Sequence, residues 1–146
     1  MTAPRIRLAR PDDWHVHFRD GSALLAVAPA TAEAFGRAIA MPNLKPPVTT
    51  TERAAQYRAR ISAALPPGSR FAPLMTLYLT DETSSEEIIR AKASGFVHAV
   101  KYYPAGATTN SQSGVTALSR AYPALAAMER ADLVLAGDDR VAARRA

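Results

Sequence analysis

The sequence predicts an α/β fold in which parallel strands alternate with helices. Short apolar runs recur along the chain, and each is followed by a polar turn and a segment with helical spacing. The run at residues 71–80 is almost continuously apolar, which is typical of a strand buried on both faces of a parallel sheet. Four strand–helix units in succession imply right-handed crossovers. They amount to half of a (β/α)8 barrel, which usually needs about 250 residues, so the 146-residue chain predicts a partial TIM barrel.

The first two units are marked by strands that end at polar or proline-rich turns. We predict strands at 14–18 and 37–41, with a short helix at 22–28 between them. Pro42 ends the second strand, because proline cannot donate to a sheet hydrogen bond. The third and fourth strands are predicted at 71–80 and 96–103. The chain is too short to close a barrel, which leaves an open sheet, a half-barrel that pairs with another copy, or a fragment.

The later helices are indicated by caps and by apolar residues at helical spacing. Threonines at 49–51 can cap the second helix, and Ser84 with Glu87 forms a capping-box pair for the third. Pro123 lies inside the last helical segment and predicts a kink or a restart there. The apolar stripes are Ala54, Tyr57, Ile61 and Leu65 in the second helix, and Leu118, Tyr122, Leu125 and Met128 in the last.

The composition limits the class of protein. No run of about 18 apolar residues occurs, so we expect no transmembrane helix and no membrane partner. The chain has no cysteine, so a metal site would need histidine, carboxylate or a less usual ligand. Basic residues near the N-terminus are not followed by an apolar stretch, which argues against a secretory signal. We therefore expect a cytoplasmic protein.

The charge of the chain at first suggests nucleic-acid binding, but its distribution argues against it. The formal net charge is +5 and the pI is near 10.0. The basic residues are spread along the chain, and the densest run, at 140–145, lies at the C-terminus. Aromatic residues that could stack on bases are not interleaved with them. We interpret the charge as solvated helix faces with a basic tail, and we expect no nucleic-acid partner.

Polar side chains at predicted strand ends mark a candidate site. His15 and His17 are two residues apart on a predicted strand, so both imidazoles can face one metal ion. Lys101 follows a buried apolar run, where loss of hydration favours the neutral amine, and a neutral amine can add carbon dioxide to form a bridging carbamate. Asn43 also follows a predicted strand. In parallel α/β folds, ligands bind at the carboxyl ends of the strands, so these residues predict a shared metal site.

Four segments of the chain together resemble a known family. They are DWHVHFRDG at 13–21, GRAIAMPNL at 36–44, MTLYLT at 75–80 and KYYPAGATTNS at 101–111. Their order and spacing are similar to those of the bacterial single-function class of dihydroorotase, in the amidohydrolase superfamily of metal-dependent hydrolases. The resemblance extends from about residue 7 to residue 130.

The resemblance implies a pair of Zn²⁺ ions at the mouth of a (β/α)8 barrel. His15 and His17 would bind the more buried ion, and carbamylated Lys101 would bridge the two. The implied reaction is the reversible cyclisation of N-carbamoyl-L-aspartate to (S)-dihydroorotate in pyrimidine (UMP) biosynthesis.

The resemblance also implies how this small-molecule substrate would be held. Arg19 and Asn43 match positions that bind its carboxylate, and a guanidinium fork suits a planar carboxylate. Thr108 and Thr109 match a mobile loop that closes over the substrate.

Beyond about Arg130 the sequence departs from the family pattern. A strand ending in histidine is expected there and is not recognisable, and the family's two further histidines and its catalytic aspartate have no counterpart. We interpret residues 1–130 as the N-terminal half of a barrel and residues 131–146 as a divergent Ala/Arg-rich tail. The ligands present would hold one zinc ion at most, so we expect a truncated chain with little or no activity by itself.

Two other interpretations are open. The half-barrel could be a non-catalytic partner that docks on another subunit, including a second copy in a homodimer. The chain could also be a small carboxylate-binding protein that uses Arg19 and Asn43 without a metal.

Overall fold

The structure, a computed structural model, describes residues 5–137. They form one sheet of five parallel strands, ordered β1-β2-β3-β4-β5, with a helix between each strand and the next. The strands are β1 Asp12–Val16, β2 Arg37–Ala40, β3 Ala72–Tyr78, β4 Val97–Lys101 and β5 Val134–Ala136. The helices are α1 Ser22–Ala34, α2 Thr51–Ala63, α3 Ser85–Ala93 and α4 Leu118–Ala131. The predicted partial (β/α)8 barrel with four strand–helix units is confirmed.

The core lies between the sheet and the apolar faces of the helices. Met75 and Leu77 of the central strand β3 are fully buried, as its apolar run predicts. Tyr57 and Ile61 of the α2 stripe are also fully buried, and α2 packs against β3. Among residues 5–137, no helix is long and apolar enough to cross a membrane.

Two helices continue through prolines, the first beyond its predicted end and the last without the restart that was one of its two predicted outcomes. The first helix was expected at 22–28, but α1 extends past Pro29 to Ala34. The α4 helix is continuous through Pro123. A proline removes one backbone hydrogen bond, and packing compensates, because buried residues lie on both sides of each proline. These are Leu24, Ala28, Thr31 and Ala32 in α1, and Ala121, Ala124, Ala127 and Met128 in α4.

A fifth strand follows α4, where a divergent tail and no strand were predicted. β5 pairs parallel with β4, with Val134 opposite Ala99 and Leu135 opposite Val100. The strand has only three residues, and both Val134 and Leu135 are exposed because β5 lies at the end of the described sheet. Residues 138–146 of the predicted tail lie outside the described part of the chain.

The predicted serine and threonine hydroxyls cap the helices, but the predicted capping-box glutamate bonds to a different helix. The Thr50 hydroxyl accepts from the backbone N–H of Arg53, and the Ser84 hydroxyl accepts from that of Glu87. The Glu87 carboxylate, however, does not complete the local capping box. It accepts from both the backbone N–H and the hydroxyl of Thr51, each at 2.6 Å, and pairs with Arg90. Glu87 therefore joins the start of α2 to α3.

Glu87 gives the fold an acid-sensitive contact. Burial of the carboxyl opposes its ionisation, but the hydrogen bonds from Thr51 and Arg90 outweigh burial and lower the Glu87 pKa below its usual 4.5. A carboxyl with a lowered pKa in the folded state stabilises the fold above the unfolded pKa and stops doing so as pH falls through the folded pKa. We expect Glu87→Gln to lower the free energy of unfolding by about 1–3 kcal/mol at pH 7.

In Glu87→Gln the free energy of unfolding should also depend less on pH, because the variant lacks the carboxyl group that titrates. Urea unfolding of both chains between pH 7 and pH 3 measures this, with the exposed Glu82→Gln as the matched control. If the free energy of unfolding fell equally with pH in the unchanged chain and in Glu87→Gln, the stabilising role of ionised Glu87 would be contradicted.

Candidate metal centre

The residues singled out by the sequence lie at the carboxyl ends of their strands, which share one edge of the parallel sheet. His15 is the second-to-last residue of β1, and His17 is the first residue after the strand. Asn43 lies in the segment after β2, and Lys101 is the last residue of β4.

The two histidines converge although the strand around them is irregular. The register between β1 and β2 shifts between Asp13 and Val16, and the backbone N–H of His15 donates to the Asp13 carboxylate at 2.9 Å. β1 ends at Val16, two residues earlier than predicted, so His17 lies just beyond it. The Nε2 atoms of His15 and His17 are 3.2 Å apart.

The spacing of these nitrogens fits two ligands on one metal ion. Zn–N bonds of about 2.0–2.1 Å in a tetrahedral site place two ligand nitrogens about 3.3 Å apart, close to the observed 3.2 Å. Within residues 5–137, no three His, Cys, Asp or Glu side chains are grouped as a metal site. A third ligand from the described chain would therefore have to be of another kind, such as a modified lysine.

His17 is held by Asn43 in a partly buried position. Its Nδ1 lies 2.8 Å from the Asn43 Oδ1. Burial lowers the pKa of the His17 imidazole, and the charge of Arg19 lowers it further, while the hydrogen bond with Asn43 opposes both. The net direction favours neutral imidazole, which is the form that binds metals.

Lys101 is buried at the same edge of the sheet, with only 1% of its surface exposed. Its Nζ donates to the carbonyl oxygen of Gly137 at 2.6 Å and lies 5.5 Å from the centre of the Tyr103 ring. The charge of Lys101 is the smallest of the causes that shift the pKa of His17, and it lowers that pKa. His98, by contrast, is exposed on β4.

Two tyrosines for which the sequence predicted no role line this edge of the sheet. The rings of Tyr78 and Tyr103 are 4.9 Å apart. Burial raises the pKa of Tyr78 to about 12, so its hydroxyl is protonated, and it donates to the carbonyl oxygen of Asn110 at 3.1 Å. Both tyrosines lie within the motif segments, at 75–80 and 101–111, but pattern alone does not show which face they occupy.

Arg19 adopts an unusual backbone conformation next to the pair. Its φ is 63°, in the left-handed region that side chains other than glycine rarely adopt. The Tyr57 hydroxyl donates to the Arg19 carbonyl oxygen at 2.8 Å, and burial raises the pKa of Tyr57. The Arg19 side chain is exposed, so its guanidinium can reach a ligand while the backbone is fixed.

The loop after β4 folds back over Asn43. Its ends meet in a bridge between Pro104 and Val115. The carbonyl oxygen of Thr109 accepts from the Asn43 Nδ2 at 3.2 Å. The Thr108 hydroxyl is buried and hydrogen-bonds to no other residue in the described range 5–137. Gly114 is required in this loop, because a Cβ there would lie 2.2 Å from the Tyr103 carbonyl oxygen.

Comparison with known proteins shows extensive similarity to dihydroorotases. The chain is 68% identical over 131 residues to a dihydroorotase of Cupriavidus necator, which covers 90% of this chain and 38% of that protein. It is 68% identical over 130 residues to a dihydroorotase of Halorhodospira halophila, with coverage of 89% and 38%. The chain thus spans less than two fifths of the length of these relatives.

Solved structures show the same fold. A dihydroorotase from Campylobacter jejuni superposes with a TM-score of 0.80 and 36% identity, over 88% of this chain and 37% of that one. A dihydroorotase from Saccharomyces cerevisiae in complex with 5-fluoroorotic acid gives a TM-score of 0.79 and 35% identity, over 87% and 35%. The pattern of the amidohydrolase family matches residues 13–136. The chain therefore belongs to the amidohydrolase family.

Proposed function

We propose that this chain supplies the first half of a dihydroorotase active site, for the reversible cyclisation of N-carbamoyl-L-aspartate to dihydroorotate. The observation that carries the proposal is the His15–His17 pair, whose Nε2 atoms are 3.2 Å apart at the strand edge that also holds buried Lys101. The similarity to dihydroorotases over 90% of the chain supports the same reaction. Because the relatives are much longer, the complete activity would need residues that correspond to the rest of their length.

The proposed metal is zinc, held on this chain by His15, His17 and Lys101. Neutral imidazoles at this spacing fit a zinc ion. If the buried Lys101 amine loses its proton, it can add carbon dioxide to give an anionic oxygen ligand. A bound zinc ion would supply Lewis acidity toward the amide carbonyl of the ring.

The substrate carboxylate is proposed to bind at Arg19 and under the loop. The exposed Arg19 guanidinium offers a planar pair of donors, and the Tyr57 hydrogen bond fixes the backbone from which it extends. The buried Thr108 hydroxyl has no hydrogen-bond partner in residues 5–137 and offers a further donor. Closure of this loop over the substrate would shield the reacting amide from bulk solvent. Asn43 is a further candidate carboxylate contact, although its amide already bonds to His17 and Thr109.

A chimaera tests the proposal. Residues 5–137 of this chain replace the matching segment of the Cupriavidus necator dihydroorotase, to which the chain is 68% identical. We expect turnover of dihydroorotate, and loss of turnover when His15→Ala or His17→Ala is introduced. His98→Ala serves as the matched control, since His98 is exposed and away from the site.

Metal analysis of the same samples makes the result decisive. A folded chimaera that binds zinc but does not turn over dihydroorotate would contradict the proposed function. Equal activity of the His15→Ala and His98→Ala chimaeras would contradict the proposed ligands.

A further inference from the structure

The side-chain amide of Asn43 is engaged at both ends. Its Nδ2 donates to the carbonyl oxygen of Thr109 at 3.2 Å, and its Oδ1 lies 2.8 Å from Nδ1 of His17. A carbonyl oxygen can only accept, so the amide group that faces Thr109 must be the NH₂. The orientation of the amide therefore follows from its two partners, and the oxygen is the atom that faces His17.

This orientation decides which nitrogen of His17 carries the proton. An amide oxygen only accepts, so a hydrogen bond at 2.8 Å requires a proton on Nδ1. A neutral imidazole has one ring proton, so Nε2 is left with its lone pair. Nε2 is the atom that lies 3.2 Å from Nε2 of His15. A histidine without such a partner favours the proton on Nε2 in water, which would block that lone pair.

The same amide connects His17 to the loop after β4. Besides the bond from Asn43 to Thr109, the Asn110 Nδ2 donates to the Asn43 carbonyl oxygen at 3.2 Å. The Asn110 carbonyl oxygen in turn accepts from the Tyr78 hydroxyl. A displacement of the loop therefore acts on the residue that orients His17.

We propose that Asn43 is a positioning residue that holds His17 in the Nδ1–H tautomer, with Nε2 presented to the metal, and that couples this orientation to the loop at 104–115. The inference rests on the proposed role of His17 as a metal ligand. Partners of this kind fix the ring orientation of a metal-binding histidine and commonly change metal affinity by about 10–100-fold when removed.

NMR of the imidazole nitrogens tests the tautomer directly in the full chain without metal. The chain has only three histidines, so the long-range ¹⁵N–¹H spectrum can be assigned with single-histidine variants. The spectra are recorded at pH 8, because burial lowers the pKa of His17 and so favours its neutral form. We expect His17 as the Nδ1–H tautomer in the unchanged chain and a shift toward Nε2–H in Asn43→Leu. His98 is the internal control and should not change.

A second variant separates the two contacts of Asn43 and guards against misfolding of the first. In Asn43→Asp the carboxylate still accepts from His17 Nδ1 but cannot donate to Thr109. We expect the Nδ1–H tautomer to persist while backbone amide signals at 108–111 shift. An unchanged chain with His17 as Nε2–H, or an Asn43→Asp chain that loses the Nδ1–H tautomer, would overturn the inference.

Titration with ZnCl₂, followed by the same histidine signals, measures the effect on metal binding. Asn43→Leu should weaken zinc binding by about 10–100-fold, and Asn43→Asp should bind at least as tightly as the unchanged chain. Equal affinity of the Leu variant and the unchanged chain would count against the inference. The NMR result does not depend on turnover, so an inactive chimaera would contradict the proposed function and leave the tautomer assignment standing.

Discussion

Replacing Lys101 by methionine in the chimaeric dihydroorotase should lower kcat/KM on the order of 10³-fold. Loss of a metal-site ligand removes several kcal/mol of charge stabilisation in the transition state, and each 1.36 kcal/mol is a factor of ten in rate. Thermal stability should change little, because an apolar side chain replaces a buried amine of which only 1% is exposed. The Gly137 carbonyl, which loses its donor, belongs to an exposed residue that water can reach.

The matched control is Lys92→Met. Lys92 also donates to a backbone carbonyl, that of Asp132 at 2.6 Å, but its side chain is half-exposed on α3. Steady-state kinetics and thermal melts of both variants separate a role in the reaction from a role in folding. A Lys101→Met chimaera that keeps activity within tenfold would contradict the proposed ligand. A Lys101→Met chimaera that loses activity and also has a clearly lower Tm would instead indicate a structural role for Lys101.

Leu77→Ala should have the largest effect on the stability of the isolated chain. Leu77 is fully buried in the central strand β3, beside Val100 of β4. Removing a buried leucine side chain costs about 2–5 kcal/mol, because transfer free energy is lost and a cavity remains. For a chain of this size, 1 kcal/mol lowers Tm by about 3–4 °C, so we expect Tm to fall by about 10 °C.

Leu25→Ala is the matched control. It removes the same side-chain atoms from a residue that is 66% exposed on α1. Its effect on the free energy of unfolding should stay within about 0.5 kcal/mol. Differential scanning calorimetry of the two variants and the unchanged chain measures the contrast. Similar Tm values for Leu77→Ala and Leu25→Ala would show that β3 is not packed as described.

Much of the fold could be predicted from the sequence because its signals are local. The apolar run of β3 and the capping residues Thr50 and Ser84 act over a few positions, and the structure confirms them. The alternating order of strands and helices along the chain also predicted the parallel topology, since strand–helix–strand units connect with one handedness. Placing His15, His17 and Lys101 at one edge needed only that topology and the positions of the strand ends.

Tertiary structure decided what depends on residues far apart in the chain. Glu87 caps α2 through Thr51, 36 positions away, and does not close its own capping box. β5 forms because β4 offers it a neighbouring strand, although three residues carry too weak a pattern to predict. Packing on both sides of Pro29 keeps α1 helical where local propensity predicted an end.

The candidate metal centre shows most clearly which features the sequence determines and which depend on tertiary structure. The sequence by itself determined which residues could bind a metal, because imidazole and amine chemistry belongs to the residue type. Only the tertiary structure decided that Asn43, 26 positions from His17, turns its amide oxygen toward the ring. The amide is oriented by the Thr109 carbonyl, which comes from a loop 66 positions further along. A hydrogen bond has a direction, and that direction is fixed only when the folded chain brings both partners together.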